Sequence, residues 1–227
     1  TRRSSDLCFI SQLYSMIFMK IKFLGAARTV TGSKHLIELE DQRQILLDFG
    51  LFQGKGEIAY PINRSLGLDP SKLTCVVLSH AHIDHCGNLP YLVKSGYSGP
   101  IYCTTATRDL CNVMLLDSAH IQEADTEYYN KRQEERRLQL FDPLYVTADV
   151  APCLELLRAI PYNFEIAISE DVILTFTDAG HILGSAVVNL RIRENDKWTR
   201  IAFTSNRGNC CCKGTMKLKS KSFNCKI

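Results

Sequence analysis

No run of apolar residues in this chain is long enough to cross a bilayer, so a membrane-spanning helix built from these residues is excluded. No internal repeat or low-complexity tract is visible, which excludes a repeat array. The ten cysteines do not form a disulfide framework. Cys8, Cys75, Cys86, Cys103, Cys111 and Cys153 are scattered, several inside apolar runs, and they read as buried free thiols of a reducing cytosol. Cys210, Cys211 and Cys212 are adjacent and lack the roughly two- to four-residue spacing of a structural zinc site, so they read as adventitious thiols. Acidic residues are missing from 197–227, which carry eight basic side chains and leave residues 1–196 at a net charge of −5. A basic tail can bind nucleic acid. The plainer reading is a basic, disordered end, because Phe223 is the one aromatic in its last part. Histidine is scarce, with six in the whole chain, and their placement carries the rest of the reading.

The remaining composition is that of an ordinary globule. Hydrophobic residues make up 45% and charged residues 22% of 227 positions, enough for one large domain or two small ones with a core of normal size. Residues 1–18 hold two arginines and a patchy apolar run broken by Ser11, Gln12 and Ser15, with no small-residue cleavage site after it. Met19 then opens a clean strand pattern. The expected division is a non-native leader at 1–18, a domain at 19–204, and a basic Cys/Lys tail at 205–227 that is disordered or artefactual.

Strand-like segments are 20–24, 34–39 and 43–47, with Gly25 and Gly32 marking turns. Cys75-Val-Val-Leu-Ser79 is a short apolar run and reads as a buried strand. A short helix is expected at 89–94, a strand at 101–103, a long helix from 105 to about 139, and a helix at 148–159 with Thr147 as its N-cap. Strands resume at 172–178, 186–192 and 199–204. Strands, then helices, then strands suit an α/β (α+β) arrangement of packed sheets with helices outside.

The buried strand at 75–79 delivers His80-Ala-His82-Ile-Asp84-His85. Side chains two apart share a face, so His80 and His82 can aim at one cation. Asp84 and His85 follow in the same loop. Four ligand-type residues in six positions are enough to serve two metals, and half of all the histidines fall here. His181, in Asp178-Ala-Gly-His-Ile-Leu-Gly184, follows another strand. A lone histidine is usually structural, but Gly180 and Gly184 free this backbone to aim it as a ligand. Asp48 also ends a strand, where a structural role and a hydrogen bond to a ligand histidine are both open; the latter is preferred. His35 and His120 read as packed or surface residues outside the ligand set.

These residues resemble the metallo-β-lactamase superfamily, and in particular its β-CASP branch of RNA-processing nucleases. The likeness runs from about Met19 to Thr204. It rests on Gly25-Ala-Ala-Arg-Thr-Val-Thr-Gly32, Leu47-Asp-Phe-Gly-Leu-Phe-Gln-Gly54, the His80–His85 loop, Leu89-Pro-Tyr-Leu92, Gly99-Pro-Ile-Tyr102 and Ala179-Gly-His-Ile-Leu-Gly-Ser185. It implies a four-layer αββα sandwich with zinc at one edge. His80, His82 and His181 would hold a first zinc, and Asp84 and His85 a second. Asp84 would orient the attacking water and help manage its proton during cleavage of single-stranded RNA.

The pattern breaks after the strand at 199–204. The family continues with Gly-Asp, whose aspartate bridges both metals, and this chain has Ser205-Asn206. A neutral amide supplies no bridging charge. The likeness then stops, which reads as a frameshifted, mis-spliced or truncated end. The expected outcome is a weakly active or inactive portion of a zinc-dependent ribonuclease, with one zinc or none tightly held. A thioester or lactam hydrolase of the same fold and a non-catalytic RNA-binding remnant are the alternatives. Without further strands, the sheet at 172–204 is expected to keep an unpaired edge or an uncovered face.

Overall fold

A computed structural model describes residues 19–135, 140–204 and 215–219. The leader, Asn206 and Cys210–Cys212 lie outside the described residues. Two sheets are present. The first has strand order β1 (Lys20–Gly25), β2 (Lys34–Glu38), β3 (Gln44–Phe49), β4 (Leu73–Val77), β5 (Ile101–Thr104) and β6 (Leu157–Ile160). Its first three strands are antiparallel and β3 to β6 are parallel. The second is fully antiparallel, in the order β11 (Thr215–Lys219), β10 (Lys197–Thr204), β9 (Ala186–Glu194), β8 (Val172–Asp178) and β7 (Glu165–Ser169).

Strand burial follows from what covers each face. Every residue of β3 is buried, as a strand covered on both sides requires. Ile45 and Leu47 face the second sheet, and Leu46 faces the helices. The second sheet alternates instead. Val172, Leu174 and Phe176 of β8 and Val188, Leu190 and Ile192 of β9 enter the inter-sheet core, while the residues between them are more exposed. A second apolar cluster joins the other face of the first sheet to the helices. These are α2 (Ile83–Cys86), α3 (Leu89–Lys94), α4 (Thr105–Glu135) and α5 (Thr147–Glu155); α1 (Gly56–Arg64) lies before them in the chain. In α4 the buried Thr107, Cys111, Leu115 and Ala119 recur every fourth residue, so one stripe packs and the rest meets solvent.

Three layers of the expected sandwich are thus present among the described residues: helices, sheet, sheet. Among the described residues, the outward face of the second sheet carries exposed Arg193, Trp198 and Arg200. Its edge differs from expectation, because 215–219 pair in register with β10 as β11 where the sequence of 205–227 reads as structureless. The helix read at 148–159 stops at Glu155, and Leu157–Ile160 pair with β5 in parallel. Four apolar-rich residues have no decisive periodicity, and the pairing decides. Thr147 is the first helical residue, not the cap; Asp149 accepts the Val146 N–H at 2.9 Å instead. The helix α1 and the strand β7 have no counterpart in the sequence reading. No helix of the described residues is long and apolar enough to cross a membrane.

The five described cysteines are free and buried, and burial pushes the Cys75 thiol up to about 12, so it stays protonated and unreactive. Lys34 is the costly core residue. It is 3% exposed, with its ammonium 4.8 Å from the centre of the Phe49 ring, and burial lowers its pKa to about 8. The folded chain therefore sheds this proton near pH 8 and the unfolded chain near 10.4. Between those values the unfolded state binds more protons, and stability rises with pH. Lys34→Met is expected to stabilise the domain at pH 7 by up to about 3 kcal/mol, with the gain shrinking to nothing by about pH 10.5. Paired urea titrations across that range check it; a gap that does not change with pH contradicts it.

Candidate metal centre

Strands β3 and β4 run parallel and end side by side, and both feed the site. After Val77 the chain runs outside any element to His82, whose φ of −66° and ψ of 144° are extended and make it the residue that opens α2. That single turn places Asp84 and His85 next to His80. A backbone clasp holds it: the N–H groups of Ser33 and Leu51 donate to the carbonyls of Asp84 and Ile83, and Asn88 N–H donates to Phe49. Gly50 lies so close that a Cβ there would sit 1.7 Å from the Asp84 carbonyl oxygen, so glycine is required.

His181 arrives from the β8–β9 loop. Its Nε2 lies 3.2 Å from His82 Nδ1, and His80 Nε2 lies 3.0 Å from the same atom. Donor nitrogens of the three residues lie within 4.8 Å of one another. Neighbouring ligands on a tetrahedral zinc with bonds of 2.0–2.1 Å are about 3.3 Å apart, close to the His80–His82 and His82–His181 spacings, so the three residues are of the kind and grouping that hold one such ion. The His85 ring joins them, 4.1 Å from that of His80, and His85 Nε2 is 3.5 Å from Asp84 Oδ2. The structure thus brings together His80, His82, Asp84, His85 and His181, as the sequence suggested. His35 instead makes edge-to-face contacts with Phe23 and Phe203, and His120 is an exposed residue of α4 near Thr147.

Asp48 lies behind the histidines with no exposed surface. Its carboxylate accepts from His85 Nδ1 at 2.7 Å, Ser79 N at 2.8 Å, Ser79 Oγ at 2.9 Å and Ser33 Oγ at 3.2 Å. The backbone turns left-handed there, with φ of 57°, a conformation aspartate tolerates better than most residues. The carboxylate also sets the protons of two imidazoles. His85 donates from Nδ1, so Nε2, 3.5 Å from Asp84 Oδ2, is the nitrogen left to the cluster. Ser79 gives its single hydroxyl proton to Asp48, so its oxygen accepts from His80 Nδ1 at 3.0 Å and His80 Nε2 turns its lone pair to the cluster. The serines Ser33 and Ser79 escaped the sequence reading. Ser79 lies beside the histidine loop, but a serine has no signature as a proton relay.

Titration behaviour separates the imidazoles. Burial, then the nearby His85, holds His80 down to about 3, so it is a neutral, ligand-competent imidazole. Burial and His82 lower His181. Burial opposes both members of the Asp48–His85 pair, but their mutual attraction outweighs it: Asp48 ends below and His85 above the usual value. A cavity of about 320 Å³ lies away from this site, lined by Arg43, Asp171, Arg193 and neighbours. Its arginines are paired with Asp41 and Asp171, so it reads as an ion-pair lock between the sheets.

A model of the metallo-β-lactamase superfamily matches residues 31–155, and the chain belongs to that superfamily. It is 38% identical over 170 residues to Ribonuclease TTHA0252 of Thermus thermophilus, covering 75% of this chain and 34% of that protein. It is 32% identical over 177 residues to transcription termination factor FttA of Methanocaldococcus jannaschii, covering 78% and 26%. The chain therefore spans about a third or less of the length of these relatives. The solved structure of MEM-A1, a subclass B3 metallo-β-lactamase from a soil metagenome library, aligns with a TM-score of 0.48 at 20% identity, covering 87% of this chain and 65% of that one.

Removing a buried charge partner typically costs about 3–5 kcal/mol, and Asp48→Ala is expected to lose that much in urea unfolding. Asp48→Asn should recover only part of it, because an amide N–H₂ would face existing donors. A loss under about 1 kcal/mol for Asp48→Ala would contradict the network's role.

Proposed function

We propose that this domain holds zinc through His80, His82 and His181, and that the protein it represents hydrolyses phosphodiester bonds of single-stranded RNA. The observation that carries the reading is the convergence of those three imidazoles beside Asp84 and His85. The names of the relatives, a ribonuclease and a transcription termination factor, support RNA as the substrate class. They also support membership of the RNA-processing branch over a thioester or lactam hydrolase.

When bound, the metal supplies a lowered pKa for a water and neutralises charge on a phosphoryl oxygen. The chain's own residues do the rest. His80 and His181 are kept neutral and present lone pairs. Asp84, with its side chain 22% exposed, would orient the water and receive its proton. Asp48 and Ser79 lock the imidazoles so that no reorientation is needed during reaction.

Asp84 and His85 form one side of a second metal position, for which Asn206 stands where the family resemblance calls for an aspartate. A neutral amide there favours a single tightly held ion in these 227 residues, with weak or no cleavage. Metal analysis of the purified chain is expected to find about one zinc per molecule, lost in His82→Ala. Two tightly held ions with RNA cleavage abolished in His82→Ala would overturn the weak-activity reading. A longer form carrying aspartate at 206 that cleaves a thioester but not single-stranded RNA would overturn the substrate assignment.

A further inference from the structure

His181 comes from the second sheet, whereas His80 and His82 come from the first. Something must fix the distance between the two sheets at this edge, and two hydroxyls outside the His181 loop are placed to do so. The Gly184 carbonyl accepts from Thr104 Oγ1 at 2.7 Å and from Thr107 Oγ1 at 2.8 Å. Thr104 ends β5 of the first sheet, and Thr107 lies in the first turn of α4. Both are buried, at 2% and 0% exposure. A carbonyl has two lone pairs and each hydroxyl one proton, so Gly184 can take both bonds; the Thr104 proton has Thr107 Oγ1, at 3.0 Å, as its other acceptor, and in that arrangement Thr107 alone carries the chain of bonds on to Gly184. The Thr107 N–H donates to Thr104 Oγ1 at 3.3 Å, which orients the pair.

The contact is close enough to constrain the loop. Gly184 has φ of +81°, and a Cβ there would lie 2.5 Å from Thr107 N. From Gly184 the restraint passes to His181 through a tight turn. Ser185 Oγ accepts from the N–H groups of His181 and Ile182, each at 3.1 Å. The Ser185 carbonyl accepts from Ala179 N–H and from Tyr162 Oη. Ala186 N–H donates to the carbonyl of Ser79 at 2.9 Å, next to His80. The loop is therefore tied to the strand ends that carry the other two histidines.

We infer that Thr104 and Thr107 are positioning residues of the metal centre, setting the reach of His181 toward His80 and His82 through the Gly184 carbonyl. The inference rests on the reading that these three histidines hold a metal. Its energetic logic is that of groups outside the ligand shell: they touch no metal, yet their loss costs about 10–100-fold in affinity. A ligand held loosely by about 0.5 Å or more loses its preorganisation.

The test uses cobalt(II), whose visible absorption reports ligand geometry, with affinity measured by competition against a chromophoric chelator. Thr107→Val keeps the volume and removes the donor. It is expected to weaken cobalt binding by about 10–100-fold and alter the absorption bands, while Thr107→Ser stays near the wild type. Thr104→Val with Thr107→Val should exceed either alone. Leu115→Ala, in the α4 core and away from the loop, controls for general destabilisation and should leave affinity and spectrum unchanged. A folded Thr107→Val with wild-type affinity and spectrum overturns the inference, as does an equal loss in Leu115→Ala. Failure of the wild type to bind cobalt, or equal binding by His181→Ala, overturns the metal reading itself.

Discussion

Asp48 carries a charge with no exposed surface, and such a charge costs several kcal/mol unless donors surround it. Four donors do so here: two from Ser79, one from Ser33 and one from His85. Each belongs to a segment that the site needs in place. Ser33 lies just before β2 and clasps the turn at Asp84, Ser79 precedes the histidine loop, and His85 lies in α2. One electrostatic requirement therefore draws together three pieces of chain and also dictates which imidazole nitrogens carry protons.

The site lies at one end of the sandwich because the parallel strands β3 and β4 both finish there, and the β8–β9 turn reaches over from the second sheet. Ends of buried parallel strands are stiff platforms, held on both faces by apolar packing, while their loops remain free to carry polar groups. The inter-sheet core, with Leu47, Val77 and Phe176, sets the spacing between the platforms. Hydroxyl and backbone contacts at Gly184 and Ala186 then refine it at the scale of a ligand bond. Packing alone lacks that directionality, since apolar contacts vary slowly with position and hydrogen bonds do not.

Much of this was legible from residue order. The strands around β2, β3, β8, β9 and β10 show in runs of apolar or alternating residues, and the histidine loop shows because ligands two to five positions apart need no tertiary knowledge to be grouped. His181 was legible only with the glycines around it. The misses share a cause. Leu157–Ile160 is too short to tell strand from helix until it pairs with β5, and α1 has Pro61 within it, which weakens a helical pattern read from sequence. Thr104 and Thr107 look like ordinary helix-entry residues, because their partner is 77 or more positions away.

The sequence by itself determined which chemistry is available: a dense set of imidazoles and carboxylates following buried strands, in a pattern of the metallo-β-lactamase kind. It also determined the alternation that makes the second sheet one-sided. The tertiary structure decided which nitrogen of each histidine faces the cluster, that Asp48 is buried and satisfied, and that His181 meets His82 across 99 positions of chain. Those outcomes depend on burial and on hydrogen bonds between distant segments, which exist only once two sheets close on a common core.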